Sequence, residues 1–263
     1  MFARESLATS LKTISRCLSL SILLSLATTF WANGKRNFLP PQSSLVTRIE
    51  EPPSQEAYED RAFTHHWHKN DYVIYPVAEY EIAGLVVTRN DIGGFSDIYH
   101  TSDSVDVVDV CLLWGDNARE AVYRNYDFWS EPFSCWYRPK RNTARARFSD
   151  DALSNTHVLA KDESLAKRLN SIHLGDQIRL RGKLINYHPA GASEQLRRSS
   201  LTRKDTGNGA CEVMYVEEFE LLKSGNPGWN RIYELARCVF LISIVLKIIS
   251  LLAFPYLEFR FTD

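Results

Sequence analysis

Apolar residues gather at the two ends of the chain and in short runs between them. The longest run is C-V-F-L-I-S-I-V-L-K-I-I-S-L-L-A-F-P-Y-L over 238–257. A run of about 20 apolar residues matches the thickness of a bilayer core and predicts a transmembrane helix. Lys247 interrupts it at a cost of a few kcal/mol, which so long a run absorbs; its ammonium is expected to snorkel or to face a partner helix. Trp229, Tyr233 and Tyr256 flank the run as interfacial anchors. A buried helix of a soluble domain is the alternative, and the scarcity of polar positions counts against it. The other apolar segment, C-L-S-L-S-I-L-L-S-L-A-T-T-F-W-A over 17–32, is shorter and holds three serines. It follows a basic region, 1–16, with Arg4, Lys12 and Arg16, which is the pattern of a secretory signal. Phe30 and Trp31 stand where a cleavage site wants small residues. The segment therefore reads as an uncleaved signal anchor, with a cleaved signal peptide as the alternative.

Between the ends the pattern changes to short strands. Residues 33–70 contain Pro40, Pro41, Pro52 and Pro53, several serines and a run of acids, and read as a tether. A soluble domain is expected over 71–222. Tyr72–Pro76 and Tyr80–Val87 read as strands, with Gly84 marking a bulge or close approach. Asn90–Gly94 reads as a turn, and Val105–Trp114 as a central strand. Phe133–Tyr137 reads as a short aromatic strand. Asp150–Asn155 looks like one helical turn. Asp162 is placed to cap a helix whose Leu165, Leu169 and Ile172 share a face. Ile178, Leu180 and Leu184 frame a bent strand or strand pair around Gly182. Gly191–Ala210 is a long polar loop, and Cys211–Leu222 a final strand. A linker, 223–237, precedes the C-terminal apolar run, and 258–263 is a tail. The fold class is mostly β with one main helix (α+β): a small antiparallel barrel or rolled sheet flanked by two terminal transmembrane helices.

Composition changes this picture little. The 263-residue chain has 44% hydrophobic residues and a net charge of −1, so nucleic acid receives no support from overall charge. Charge is unevenly placed, with 13 acids against 3 bases over Glu50–Asp109 and 17 bases against 10 acids over Cys111–Lys204. Two differently solvated surfaces account for the split. Of the five cysteines, Cys17 and Cys238 fall in the apolar ends. Cys111 and Cys135 lie on two apolar runs able to pair and are the favoured disulfide, which leaves Cys211 as a thiol. No C-x-x-C motif is present. Basic residues flank the first apolar segment almost evenly; the orientation adopted puts both chain ends inside and the domain outside.

The segment G-D-Q-I-R-L-R-G-K-L (Gly175–Leu184) resembles strands of OB-type barrels, in which a glycine lets one strand serve both halves, so the barrel is expected to be OB-like. Three stretches resemble an uncharacterised family of bacterial envelope or membrane-tethered proteins. They are D-V-C-L-L-W-G-D-N (Asp109–Asn117), D-A-L-S-N-T-H (Asp151–His157) and T-R-K-D-T-G-N-G-A-C-E (Thr202–Glu212), the last followed by V-M-Y-V-E-E-F-E-L-L. The resemblance spans most of the domain and implies a bacterial source and a domain boundary; with the orientation adopted above, the chain is expected in the inner membrane with its domain on the periplasmic side. It carries no activity with it.

Candidate chemistry is sparse. Asp205-Thr206-Gly207 invites comparison with the aspartic-protease motif, but Arg203 and Lys204 precede it and no second copy exists to share a proton; a polar turn is the plainer reading. His66 and His68, near His65, would share a face on an extended chain and could bind a metal with Asp71 or His100 as a third ligand. Incidental histidines at the end of a polar linker are the plainer reading there too, and no cofactor is expected. Cys211 or Cys135 with His157 is the remaining nucleophile–base option, against the ordinary structural role of such cysteines. Asp109, His157, Asp205 and Glu212 are the candidate acid–base groups of a hydrolase. Trp136, Tyr137, Arg138, Lys140, Arg141, Arg145 and Arg147 form a compact aromatic and basic patch, extendable by Arg197, Arg198, Arg203 and Lys204. Such a patch suits an anionic glycan or single-stranded nucleic acid, and a solvated loop facing lipid headgroups competes with both. The leading expectation is a membrane-anchored binding or accessory domain for a protein or polymer at the membrane surface. A tethered hydrolase and a cytoplasmic-facing nucleic-acid-binding domain are the alternatives.

Overall fold

The structure, a computed structural model, describes residues 2–58, 61–92, 104–131, 134–141, 147–192, 196–205 and 210–260. Gly93 and Gly94 of the expected turn, His100, Arg145, Thr206 and Gly207 lie outside the described residues, as do the side chains of Arg4 and Tyr256. The chain divides into two compact units. One is formed by the two ends, Met1–Phe38 and Asn226–Asp263; the other is Leu39–Gly225.

The terminal unit is a pair of long helices, α1 (Phe2–Arg36) and, at the chain's other end, Pro227–Arg260. Both are long and apolar enough to cross a membrane, over Lys12–Arg36 and Pro227–Leu252. They run antiparallel. Ser21 Oγ lies 2.8 Å from Ser243 Oγ, and the Trp31 ring meets Trp229 edge-on at 4.8 Å. Lys247 Nζ donates to Ser15 O at 2.8 Å and Ser19 Oγ at 3.0 Å. Lys247 thus faces the partner helix. Two of the three serines in the apolar run of α1, Ser19 and Ser21, meet the other helix, since small polar residues let two backbones approach and satisfy a polar group away from water. The outward faces carry Leu20, Leu23, Leu24, Ile242, Ile249 and Leu252, all more than half exposed.

The other unit mixes strands and short helices. Two short strands, β1 (Ser54–Ala57) and β2 (Phe63–Trp67), precede the 22-residue β3 (Asn70–Asp91) and pair with it. Next come β4 (Asp106–Leu113), the five-residue helix α2 (Gly115–Arg119), and the hairpin of β5 (Tyr126–Glu131) and β6 (Ser134–Pro139). Then follow β7 (Leu153–Ala160), α3 (Glu163–Leu169), β8 (Gln177–Pro189) and β9 (Glu212–Lys223). The Pro227–Arg260 helix is α4. Five strands close a ring in the order β3-β4-β7-β9-β8 and back to β3, antiparallel throughout except for the parallel pair β7–β9. Ile74, Ile82, Val108, Leu112, Val158, Leu180 and Met214 fill its core, closed on one side by Leu165 and Leu169 of α3. Asp162 caps α3, accepting from Leu165 N at 2.8 Å.

Several boundaries differ from expectation. The two expected strands before Val87 are one, bent at a bulge between Pro76 and Ala78. Its Gly84 approaches β4 closely: a Cβ there would lie 3.1 Å from Leu112 Cβ. Residues 33–70 are no loose tether. They hold β1 and β2, and the 39–50 stretch is pinned to the domain by the buried Gln177, whose side chain accepts from Val46 N at 2.6 Å and donates to Ser44 O at 3.1 Å. Tyr123 Oη donates to Pro40 O at 2.7 Å. Only Asp150–Ala152 is helical, as a 3-10 turn; β7 starts at Leu153. Residues 227–237, expected in a linker, already belong to α4.

At Gly182 the β8–β9 register shifts, and an added Cβ would overlap Tyr215 O. A side chain has no room there, which is why the strand bends at glycine.

Candidate functional site

The ring's strand order brings together residues far apart in the chain. Asp109 and His157 are cross-strand partners on β4 and β7. Asp109 Oδ1 lies 2.7 Å from His157 Nδ1, with the two side chains 4% and 1% exposed. Thr156 pairs with Glu212 across the parallel β7–β9 ladder, which sets Cys211 beside Asn155 and His157 on one face. Asn155 Nδ2 donates to Cys211 Sγ at 3.4 Å, and the imidazole stands on the same face of the ladder. Burial works against a charged His157, but its hydrogen bonds to Asp109 and Cys211 prevail and hold its pKa up at about 9. Burial likewise opposes a Cys211 thiolate, and the hydrogen bond and charge of His157 outweigh it, so the thiol pKa is lowered. The group is therefore suited to a thiolate–imidazolium pair with an aspartate behind it.

The opposite face of the same strands carries a second network. Glu212, 2% exposed, accepts from Arg203 and Ser154, and Arg203 also donates to Tyr80 Oη. Burial raises the Glu212 pKa, with Arg203 and Ser154 opposing it. The Arg203 guanidinium stacks over Tyr80 and Trp114 at 5.3 and 5.8 Å. Asp205 accepts from Ser200 Oγ at 2.7 Å. Ser154, Asn155, Arg203, Lys204, Asp205 and Glu212 contribute to one cleft of about 360 Å³. Of the four acid–base candidates, Asp109 and His157 meet, while Glu212 and Asp205 have partners of their own.

The aromatic patch sorts into two faces of the β5–β6 hairpin. Alternate side chains point to opposite sides of a ladder. Phe128, Cys135 and Tyr137 turn inward. Tyr137 stacks on Phe148 at 4.3 Å and donates to Asp150. Cys135 is bonded to Cys111 of β4, and Ser130 Oγ donates to Thr88 Oγ1 at 2.6 Å. Trp129 and Trp136, paired across the hairpin, turn outward and are 37% and 48% exposed. Arg138 lies over the Trp129 ring at 5.6 Å and 3.6 Å from Asp127. Lys140 donates to Arg124 O at 2.9 Å, and Arg141 and Arg147 are exposed. Trp129 belongs to this surface although the sequence reading left it out; its mirror position across the hairpin from Trp136 is the signal.

The histidine cluster does not assemble. His68 adopts a left-handed conformation, φ 53°, so the extended geometry that would align it with His66 is absent. His66 Nδ1 instead meets Asp71 Oδ1 at 2.7 Å on the surface, and His65 is buried beside Trp67 and Tyr215. Among the described residues no three His, Cys, Asp or Glu side chains are grouped to hold a metal ion. Comparison with protein-family models, curated proteins and solved structures finds no match for this chain.

Proposed function

We propose that this protein is a membrane-anchored binding or accessory domain of a bacterial envelope, with its soluble unit on the periplasmic side. The observation that carries the reading is the outward Trp129–Trp136 pair with Arg138 beside it. Two half-exposed indole rings paired across a hairpin forgo part of a burial worth roughly 1.5–3 kcal/mol for a fully buried large side chain, and exposed aromatic surface of this kind marks contact with another molecule. The inner face of the same hairpin is fastened by the Cys111–Cys135 bridge and the Phe128–Tyr137–Phe148 cluster, so the outer face is held ready without being needed for the core. The pairing of α1 with α4 through Lys247, Ser15, Ser19 and Ser21, with leucine and isoleucine outside, supports two spanning helices. A disulfide in the domain supports an oxidising compartment. The strand order β3-β4-β7-β9-β8, the parallel β7–β9 pair and the position of α3 between β7 and β8 support an OB-type barrel, a fold that presents such surfaces to polymers.

The ligand chemistry favoured by tryptophans interleaved with arginine is an anionic polymer, a glycan first. The test is a titration of the full-length protein in detergent with a sulfated polysaccharide, read by tryptophan fluorescence. Saturable quenching, weakened at least tenfold in Trp129→Ala/Trp136→Ala and less in Arg138→Ala, supports the reading. Unchanged binding in the double variant, or none in the parent, removes it. Oligothymidylate in the same assay tests the nucleic-acid alternative, whose binding should fall steeply with salt. The hydrolase alternative draws on the Asp109–His157 pair, and a panel of ester, phosphate, glycan and peptide substrates tests it.

A further inference from the structure

Cys211, His157, Asp109 and Asn155 occupy one face of three adjacent strands, and none of them enters the binding surface above. Cys211 is half-buried, whereas the imidazole and carboxylate beside it are enclosed. Cys111 and Cys135 are joined to each other, which leaves Cys211 as the thiol of this domain. We propose that Cys211 is a nucleophile that exchanges with small-molecule disulfides. Asn155 donates to the sulfur, His157 stands on the same face one ladder position on, and Asp109 fixes the imidazole on Nδ1.

The enclosure of His157 selects the chemistry. Acyl transfer requires a proton for the departing alkoxide or amine, which a base 1% exposed is poorly placed to deliver past the sulfur. Disulfide exchange requires none. The Cys211 thiolate attacks one sulfur of R–S–S–R′; the Cys211–S–S–R bond forms as the incoming S–S bond breaks, and R′–S⁻ leaves with the electron pair. One disulfide replaces another, and His157 keeps its proton. The charged groups that bear on the sulfur are His157, which favours the thiolate, and Glu212 on β9, which opposes it. Asp109 supports the charge of His157, and Arg197 opposes it.

The test uses the full-length protein in detergent with Cys17→Ser and Cys238→Ser, so that Cys211 alone carries a thiol. The second-order rate with 4,4′-dithiodipyridine is followed from pH 6 to pH 8. An ordinary thiol gains about tenfold per pH unit over this range. Cys211 should react at one equivalent per native chain and rise less steeply with pH than an ordinary thiol. Glutathione disulfide should then give a mixed disulfide at Cys211 by intact mass. Asp109→Asn should restore the steep pH slope, and Asn155→Ala should shift it in the same direction if Asp109→Asn fails to fold. A tenfold rise per pH unit in the parent, or labelling that appears only after denaturation, overturns the proposal. Neither result bears on the Trp129–Trp136 surface.

Discussion

Cutting the Cys111–Cys135 bridge should destabilise the soluble unit by about 3.4 kcal/mol. The perturbation is Cys111→Ala/Cys135→Ala. The bridged residues are 24 apart in the chain. In the chain-entropy treatment, closing a loop of that size removes about 11.6 cal/mol/K from the unfolded ensemble, or about 3.4 kcal/mol at 25 °C. Cys111 is 1% exposed and packs with Leu113 and Tyr123, so losing its sulfur leaves a small void that adds to the loss. For a domain of this size, 1 kcal/mol corresponds to a midpoint shift of about 2–4 °C, and the variant should melt roughly 7–14 °C lower. The assay is thermal unfolding of the full-length protein in detergent, followed by near-ultraviolet circular dichroism. A reductant should bring the parent down to the variant and leave the variant where it is. A variant within about 2 °C of the parent, or a reductant that lowers both equally, would refute the claim that the bridge constrains this unit.

Three further outcomes follow from the same geometry. His157 has a folded pKa of about 9 against an unfolded 6.5, so its contribution is fully present below pH 6.5 and is lost as pH rises through 9. In a Cys211→Ser background, where the thiol no longer titrates and its support of the imidazolium is lost, unfolding free energies at pH 6 and pH 9.5 should differ by less than about 3 kcal/mol with the acid side more stable, and adding Asp109→Asn should flatten the difference. Gly182→Ala should cost at least about 2 kcal/mol, since the new methyl would overlap Tyr215 O and β8 or β9 must move. Gly34→Ala, with nothing within 4 Å of the added carbon, serves as the neutral control. Arg203→Met strands the buried Glu212 and should cost about 3–5 kcal/mol; Arg203→Met/Glu212→Gln should recover most of the loss, a coupling readable in a double-mutant cycle.

What could be read from the chain alone was what neighbours in the chain determine. The C-terminal apolar helix follows from hydropathy, α3 from the Asp162 cap and the spacing of Leu165 and Leu169, and β4 and β9 from their apolar runs. The bend at Gly182 follows from the glycine. The disulfide expected between Cys111 and Cys135 is the one the fold forms. The strand β7 was missed because Leu153–Ala160 reads L-S-N-T-H-V-L-A, and its buried Ser154, Thr156 and His157 look like loop residues. They are tolerated inside because Glu212 and Asp109 satisfy Ser154 and His157 from other strands, and a buried polar group costs little once it is paired. The first apolar helix was legible as well; what its sequence does not tell is that Ser19 and Ser21 meet Lys247 and Ser243 of the other helix. Asp109, His157 and Glu212 could each be named from the sequence, but their partners could not. Whether His157 meets Asp109 and Cys211 depends on β7 lying between β4 and β9. Strand order is settled by the closing of the ring, and no local pattern along the chain encodes it.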